Sequence, residues 1–262
     1  MLVRWQACRA NRRGGRPRRL TVGDPYEPGG YCSWVAPARD AVGRQLVLKV
    51  GWRHPEAEHE ADGLRVWDGD GAARLHTAHN LNNTNVLPLE RCTPGAPLSS
   101  AVPPTEADVV VAGLLRRLWR PPPARHPFRP LLEMCDMWAA EFEAGPPARI
   151  DPGLARTGIS LLRSLPRDST EQVLLCTDLH AENILAAQRE PWLAIDPKPY
   201  VGDPCYDPTQ HMFNDDDRLQ TDPRRFADRM AGLLDVDAER VRLWLFARCV
   251  FESPHRPMLG EV

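Results

Sequence analysis

The twelve residues TPGAPLSSAVPP, positions 93–104, constrain most strongly what this chain can fold into. A run of Pro, Gly and Ser interrupts helix and strand periodicity alike, and the chain reads differently on its two sides. Before it, Tyr31–Ala36 and Gln45–Val50 mix β-branched, aromatic and apolar residues around the turn-like ARDAVGRQ, which predicts two paired strands. Pro55 then opens a helical pattern, PEAEHEADGLRVWD. Ala57, Ala61, Leu64 and Trp67 lie near helical spacing, and Gly69 and Gly71 stop it. NVLPLERC is a further short strand. After the break, helices are expected at Thr105–Trp119 (apolar side Val109, Leu114, Leu115, Leu118), Pro130–Glu143 and Asp151–Ser164. Short strands at Gln172–Cys176 and in PWLAIDPKPY follow, the second ending at Asp196. Two or three helices run from Pro208 to about Glu252. Trp34, Trp67, Trp119 and Trp244 are expected in the core. The implied fold is α+β and bilobal: a small β-rich lobe over residues 21–93, a hinge, and a larger, mainly helical lobe over 94–262. There is no internal repeat.

Charge narrows the partners. The first twenty residues hold seven Arg and no acid, without the apolar centre of a secretion signal, and are expected to be a disordered tail. The remaining 26 basic residues face 35 acids, so the body carries a net charge of about −9. Such a surface does not suit nucleic acid and suits a cationic small molecule. No apolar run is long enough for a membrane span, and nothing implies an obligate protein partner. Seven scattered cysteines, an odd number without CxxC, read as reduced thiols in a cytoplasm. His54 and His59 in HPEAEHE are five apart, so they do not share a helix face as metal ligands.

Chemistry concentrates in two loops. In VLLCTDLHAENIL an apolar strand delivers Asp178, and Asn183 follows on the far side of the loop; the next strand delivers Asp196. Three oxygen ligands at adjacent strand ends suit Mg²⁺ and phosphates, and phosphoryl transfer also needs an aspartate at the acceptor hydroxyl. It needs a lysine on the phosphates, held by a helix glutamate. Only Lys49 and Lys198 are lysines among 33 basic residues. Where a cation merely solubilises, this chain uses Arg, so its lysines are candidates for placing a compact ammonium. Lys49 lies near the end of a strand, just before a glutamate-rich helix. Glu56 and Glu60 lie one turn apart there, and Glu60 is preferred as its partner. Glycines ahead of the first strand would cover phosphates with backbone N–H groups. Lys198 is left without an assigned role, and His180 is read as packing its loop.

Five separated motifs in one order resemble the aminoglycoside phosphotransferases, which share the protein-kinase-like fold. CTDLHAENIL and AIDPKPYVGDPCYD are similar to their catalytic and metal loops; PGGYCSWV (with Gly29, Gly30 and Ser33), LVLKV and HEADGLRVW are similar to their ATP lobe. IDPKPYVGDP is typical of the streptomycin 6-kinase and hydroxyurea phosphotransferase subgroup. The resemblance spans about residues 21 to 255 and implies ATP and Mg²⁺ as cofactors. It implies Asp178 as catalytic base, Asn183 and Asp196 as Mg²⁺ ligands, Lys49 on the α- and β-phosphates and Glu60 orienting it. Glu90 to Cys92 would offer backbone to adenine, and Asp207 would brace the catalytic loop. The wider family has His-Gly before the aspartate and Gly before the asparagine, where this chain has Cys176, Thr177 and Glu182. Substrates of such kinases lie between the catalytic loop and the second-lobe helices, which makes Asp215, Asp216, Asp217 and Glu252 candidates for an acidic rim. The expected acceptor is a small hydroxylated molecule: a streptomycin-type aminoglycoside first, hydroxyurea or a polyol second. A protein that holds nucleotide without turnover is the alternative class.

Overall fold

The computed structural model describes residues 20–27, 32–146, 150–256 and 259. β1 (Thr21–Val22), β2 (Ser33–Arg39) and β3 (Gln45–Trp52) begin an antiparallel sheet. Asp40 closes the β2–β3 turn by accepting hydrogen bonds from the Val42 and Arg44 amides at 3.0 and 2.9 Å, with Gly43 at φ 85°. α1 (Glu60–Trp67), β4 (His79–Leu81) and β5 (Thr84–Glu90) complete this lobe, and the sheet runs β1-β2-β3-β5-β4. Strand alternation splits its residues. Ala38, Leu46, Leu48 and Val86 form a small core on one face. Leu87 and Leu89 face the other way and merge with the main core, with Leu64 and Trp67 of α1. Lys49 pairs with Val35 on one side and Leu87 on the other, so the sheet's centre carries it on that inward face.

The second lobe contains α2 (Leu98–Ala101), α3 (Pro104–Leu118), α4 (Leu131–Ala144) and α5 (Pro152–Ser164). Four short strands follow, β6 (Val173–Leu175), β7 (Ile184–Ala186), β8 (Trp192–Ala194) and β9 (Tyr200–Gly202). They pair as β6–β9 and as the β7–β8 hairpin. The chain closes with α6 (Pro208–Met212), α7 (Asp216–Thr221), α8 (Pro223–Leu234) and α9 (Ala238–Glu252). Aspartates cap these helices: Asp151, Asp215, Asp222 and Asp237 accept first-turn amides of α5, α7, α8 and α9. α1 is tied to α3 by the Trp67 indole N–H, which donates to the Leu118 carbonyl at 2.9 Å. Trp67 is fully buried, and its truncation to Ala would cost about 3–5 kcal/mol. No helix among the described residues is long and apolar enough to cross a membrane. Their six cysteines, Cys32, Cys92, Cys135, Cys176, Cys205 and Cys249, are free thiols.

Several expectations need correction. The helix at Pro55 is two pieces: a 3₁₀ turn, Pro55–Ala57, then α1 from Glu60, with His59 between them at φ −108°, ψ 12°. Glu56 therefore does not share a face with Glu60. Val109 is exposed, because the buried stripe of α3 runs through Ala107, Asp108, Val111, Ala112, Leu114, Leu115 and Leu118. Trp34 is exposed as well, on the sheet's outer face beside Val50. Four helices follow Pro208 among the described residues, cut by the capping aspartates. The Pro/Gly-rich segment is a packed connection: the Gly95 amide donates to Ala186 and the Ala186 amide to Ala96, both at 2.9 Å, and Leu98 is fully buried. The tail (1–19) lies outside the described residues, as do Gly29 and Gly30.

Candidate active site

Asp178 follows β6 on a loop held from below. Asp207 accepts the Cys176 amide at 3.1 Å, the Thr177 amide at 2.8 Å and the Trp119 indole N–H at 2.9 Å. Burial pushes the Asp207 carboxyl up to about 6 against these three donors. Thr177 has φ 48°, the left-handed conformation that glycine adopts freely. Here the threonine is pinned: its hydroxyl donates to the Lys198 carbonyl at 2.5 Å while the Lys198 amide donates to Cys176 at 2.9 Å. The two loops are thus laced together.

The β7–β8 register does the rest. Ile184 pairs with Ala194, and just beyond it the Ile195 amide donates to the Asn183 carbonyl at 2.9 Å. Asn183 and Asp196 therefore emerge side by side at the hairpin's mouth. Asn183 directs its amide nitrogen to the Asp178 carbonyl at 3.0 Å. Asp196 sits at φ 52° with its carboxylate half exposed, a strained conformation of the kind that clusters at functional sites.

The first lobe supplies the cation. The Lys49 ammonium donates to both Glu60 carboxylate oxygens at 2.8 Å and also bonds Asp196. Burial alone would lower its pKa; Glu60 and Asp196 outweigh burial and raise it, so it stays charged. Gly63 lets α1 approach: a β-carbon there would lie 2.5 Å from Pro199, next to Lys198. Glu56 turns instead to Lys198, at 3.5 Å.

Two residues complete the surroundings of Asp178: Gln210, which has no signature in the sequence, and Lys198, which stands out there only as one of two lysines. Gln210 donates its side-chain nitrogen to one Asp178 oxygen at 2.9 Å, and Lys198 meets the other at 3.0 Å. The Gln210 oxygen accepts from Arg248 at 3.0 Å. Arg248 can only donate, so it fixes which end of the amide faces Asp178. Arg248 is buried among the Trp138, Tyr206 and Phe213 rings. Its signal in the sequence is faint, an Arg on an otherwise apolar stretch of α9. His180 lies in the same loop, partly buried, its pKa lowered by burial.

The other expected residues lie as follows. Ser33 pairs with Gly51, on the face that carries Val35 and Lys49. The Glu90 amide donates to the Arg74 carbonyl at 2.8 Å, and its carboxylate accepts from Arg189 and from the Arg74 amide. Glu90 thus ties the end of β5 to Arg74 and to Arg189 of the β7–β8 turn, and the Cys92 thiol, pushed up to about 11 by burial, lies just past it. Asp215 caps α7 and pairs with Arg218, Asp216 pairs with Arg256, and Asp217 is exposed. Glu252 lies 3.5 Å from Arg248. Two of the three acids in NDDD therefore already have arginine partners. Among the described residues no group of three or more His, Cys, Asp and Glu is placed to hold a metal by itself; Asn183 and Asp196 offer two oxygens.

Residues 18–256 match the family model described as aminoglycoside/hydroxyurea antibiotic resistance kinase. The chain is 36% identical over 228 residues to a streptomycin 6-kinase of Streptomyces griseus, covering 84% of this chain and 73% of that one. It is 36% identical over 244 residues to a hydroxyurea phosphotransferase of Kitasatospora aureofaciens, covering 89% and 68%. Among solved structures it is similar to a choline kinase, LicA, of Streptococcus pneumoniae, with TM-score 0.63 and 14% identity over 92% of this chain and 86% of that one. That likeness carries the fold.

Proposed function

The chain belongs to the aminoglycoside/hydroxyurea antibiotic resistance kinases, and from that premise we propose that it transfers the γ-phosphoryl group of ATP to a hydroxyl of a cationic, streptomycin-type aminoglycoside. The observation that carries the reading is the convergence of Lys49, Asp196, Asn183 and Asp178 from both lobes on one cleft. Asp178 accepts the acceptor's hydroxyl proton as its oxygen bonds to the γ-phosphorus and the bond to the β-phosphate oxygen breaks, releasing ADP. Lys49, charged and braced by Glu60, binds the α- and β-phosphates. Asn183 and Asp196 would hold Mg²⁺ together with those phosphates; one carboxylate and one amide suit a cation that takes the rest of its ligands from phosphate and water. Bound there, Mg²⁺ would neutralise phosphate charge. Residues 21–93 form the nucleotide lobe and 94–262 the acceptor lobe.

The acidic body supports a cationic acceptor, since its field raises the local concentration of such a molecule. The test is ADP release with Mg-ATP against streptomycin, hydroxyurea and a neutral polyol. Turnover with streptomycin is expected. Turnover with hydroxyurea alone would move the acceptor and keep the kinase, and binding of ATP without turnover on any acceptor or on water would overturn the catalytic reading.

A further inference from the structure

Lys198 is held more firmly than a surface cation needs. Its amide donates to Cys176 and its carbonyl accepts from the Thr177 hydroxyl, so its backbone is bonded on both sides to the loop that presents Asp178. Pro197 and Pro199 flank it and restrict the backbone further. Pro199 is seated against Gly63 of α1. From this mount the ammonium reaches an Asp178 oxygen at 3.0 Å and Glu56 at 3.5 Å. It stands two residues from Asp196 and contacts Asp178, and its side chain remains about one-third exposed. Lys49 is bound to Asp196 from the nucleotide side. The two lysines of the chain thus flank the path between Asp196 and Asp178.

We propose that Lys198 is a second catalytic cation, which leaves Asp178 for the transferring phosphoryl group as that group moves from ADP to the acceptor oxygen. This rests on the phosphotransferase reading above. In the reaction the acceptor O–P bond forms, the bond to the β-phosphate oxygen breaks, ADP departs and the proton passes to Asp178. Protonation removes the charge that holds Lys198, while the passing phosphoryl oxygens remain anionic. The ammonium therefore gains a better partner at the moment of transfer, which is the condition for an interaction to accelerate chemistry rather than binding. Fixed by its backbone, it needs little reorganisation to do so. Arginine would keep the charge in this gap between two carboxylates but, as a broad planar fork, would serve less well than a compact ammonium.

The test is a cycle of Lys198→Met, Asp178→Asn and the double variant, read as phosphoryl transfer from γ-labelled Mg-ATP to streptomycin and, in parallel, to water. Nucleotide Kd and a thermal melt are taken for each. Lys198→Met is expected to lower kcat about 100-fold, the usual effect of removing one transition-state donor, with nucleotide Kd unchanged within about twofold. In the Asp178→Asn background it should still lower the rate by about tenfold or more, because it acts on the phosphoryl group itself. A kcat within about threefold of the parent overturns the proposal. So does a double variant no slower than Asp178→Asn, which would make Lys198 a positioning residue. If the Met variant does not fold, Lys198→Arg decides: it retains charge and should keep kcat above that of Asp178→Asn, and a loss equal to that variant's overturns the assignment. An Asp178→Asn variant with parental turnover would instead defeat the function reading, so the two failures are distinguishable.

Discussion

The chain's two lysines sit in opposite kinds of surroundings. Lys49 has a side chain 10% exposed and is clasped by Glu60, which is itself buried. Lys198 is 31% exposed; like Lys49 it bridges the lobes, with Asp178 and Glu56 as partners, but Glu56 is itself exposed. The nucleotide side of the cleft is thus a largely buried ion pair, Lys49 with Glu60, that opens only at Asp196, whose side chain is half exposed. The acceptor side is a more exposed arrangement in which Gln210, Lys198 and Asn183 surround one carboxylate, with Lys198 reaching solvent. A buried pair is strongly destabilised by loss of either partner, because the other charge is stranded. An open pair is not. The difference predicts that substitutions on the nucleotide side disturb fold and binding together, and that substitutions on the acceptor side strike turnover alone.

The largest expected effect tests the open side. Asp178→Asn should lower kcat by about 10³-fold, within the range for loss of a general base, while melting temperature and nucleotide Kd stay near the parent's. A variant that loses nucleotide affinity in proportion would erase the contrast between the two sides.

On the closed side, Lys49→Met should lower kcat/KM for ATP about 100-fold and also destabilise the chain by about 3 kcal/mol, since Glu60 is left charged or forced to protonate in a buried site. Denaturant midpoints for the parent and for Lys49→Met and Glu60→Gln would check this. Full parental stability in both single variants would show that the pair is not the closed unit described here.

Local signals make much of this contrast legible in the amino-acid sequence. Lys49 lies inside a strand just before the glutamate-rich segment, and Glu60, Asp178, Asn183 and Asp196 lie at a helix start or in tight loops, so local chemistry places them. Gln210 and Arg248 are not legible in that way. They act 32 and 38 residues away from their partners, Asp178 and Gln210 respectively, and only tertiary packing joins them. Asp108 is an intermediate case. It stands on the buried stripe of α3, where it accepts from His211, Arg218 and Arg229 at 2.9, 2.8 and 2.6 Å. Burial would raise its pKa; those three partners override that and lower it. Helical spacing points to Val109 as core because it counts apolar residues and ignores the acid beside it. Glu56 misleads for another reason: a 3₁₀ turn after Pro55 has a different period from the helix it precedes.

Asp207 joins the two sides from beneath, and its pH dependence sharpens the comparison further. Its folded pKa, about 6, lies above the 3.8 of an unfolded aspartate. The folded chain therefore holds this proton more tightly. The group's contribution to stability is full below about pH 4, falls as pH rises to about 6, and is constant above, a change of at most about 3 kcal/mol. Turnover should run the other way. Below about pH 6 the protonated carboxyl is a poorer acceptor for the Cys176 and Thr177 amides, and kcat should fall several-fold. Asp207→Asn should remove this group's share of the pH dependence of stability between 4 and 6 and lower kcat about tenfold at pH 7.5. Unfolding midpoints at pH 4.5 and 7.5 for parent and variant provide the measurement; identical pH profiles would remove Asp207 from both roles.

The smallest effect concerns the acidic rim. Three successive aspartates at the start of α7 suggest a surface that draws in a cation, yet Asp215 is spent on the helix cap and Arg218, and Asp216 on Arg256. Asp217 alone of the three is exposed. An exposed charge beyond a Debye length from a bound substrate is largely screened at physiological salt, so its neutralisation should matter little to chemistry. Asp217→Asn is expected to raise KM for streptomycin by about twofold at low ionic strength and to leave kcat unchanged, with the difference vanishing near 0.5 M salt. Asp215→Ala should act differently: it removes the cap of α7 and one of the two acidic partners of Arg218, so it should lower stability by about 1 kcal/mol at any salt. If Asp217→Asn raised KM tenfold or more and the effect survived high salt, the acceptor would touch α7 directly, and the open side of the cleft would extend further along the second lobe than the ring of groups around Asp178.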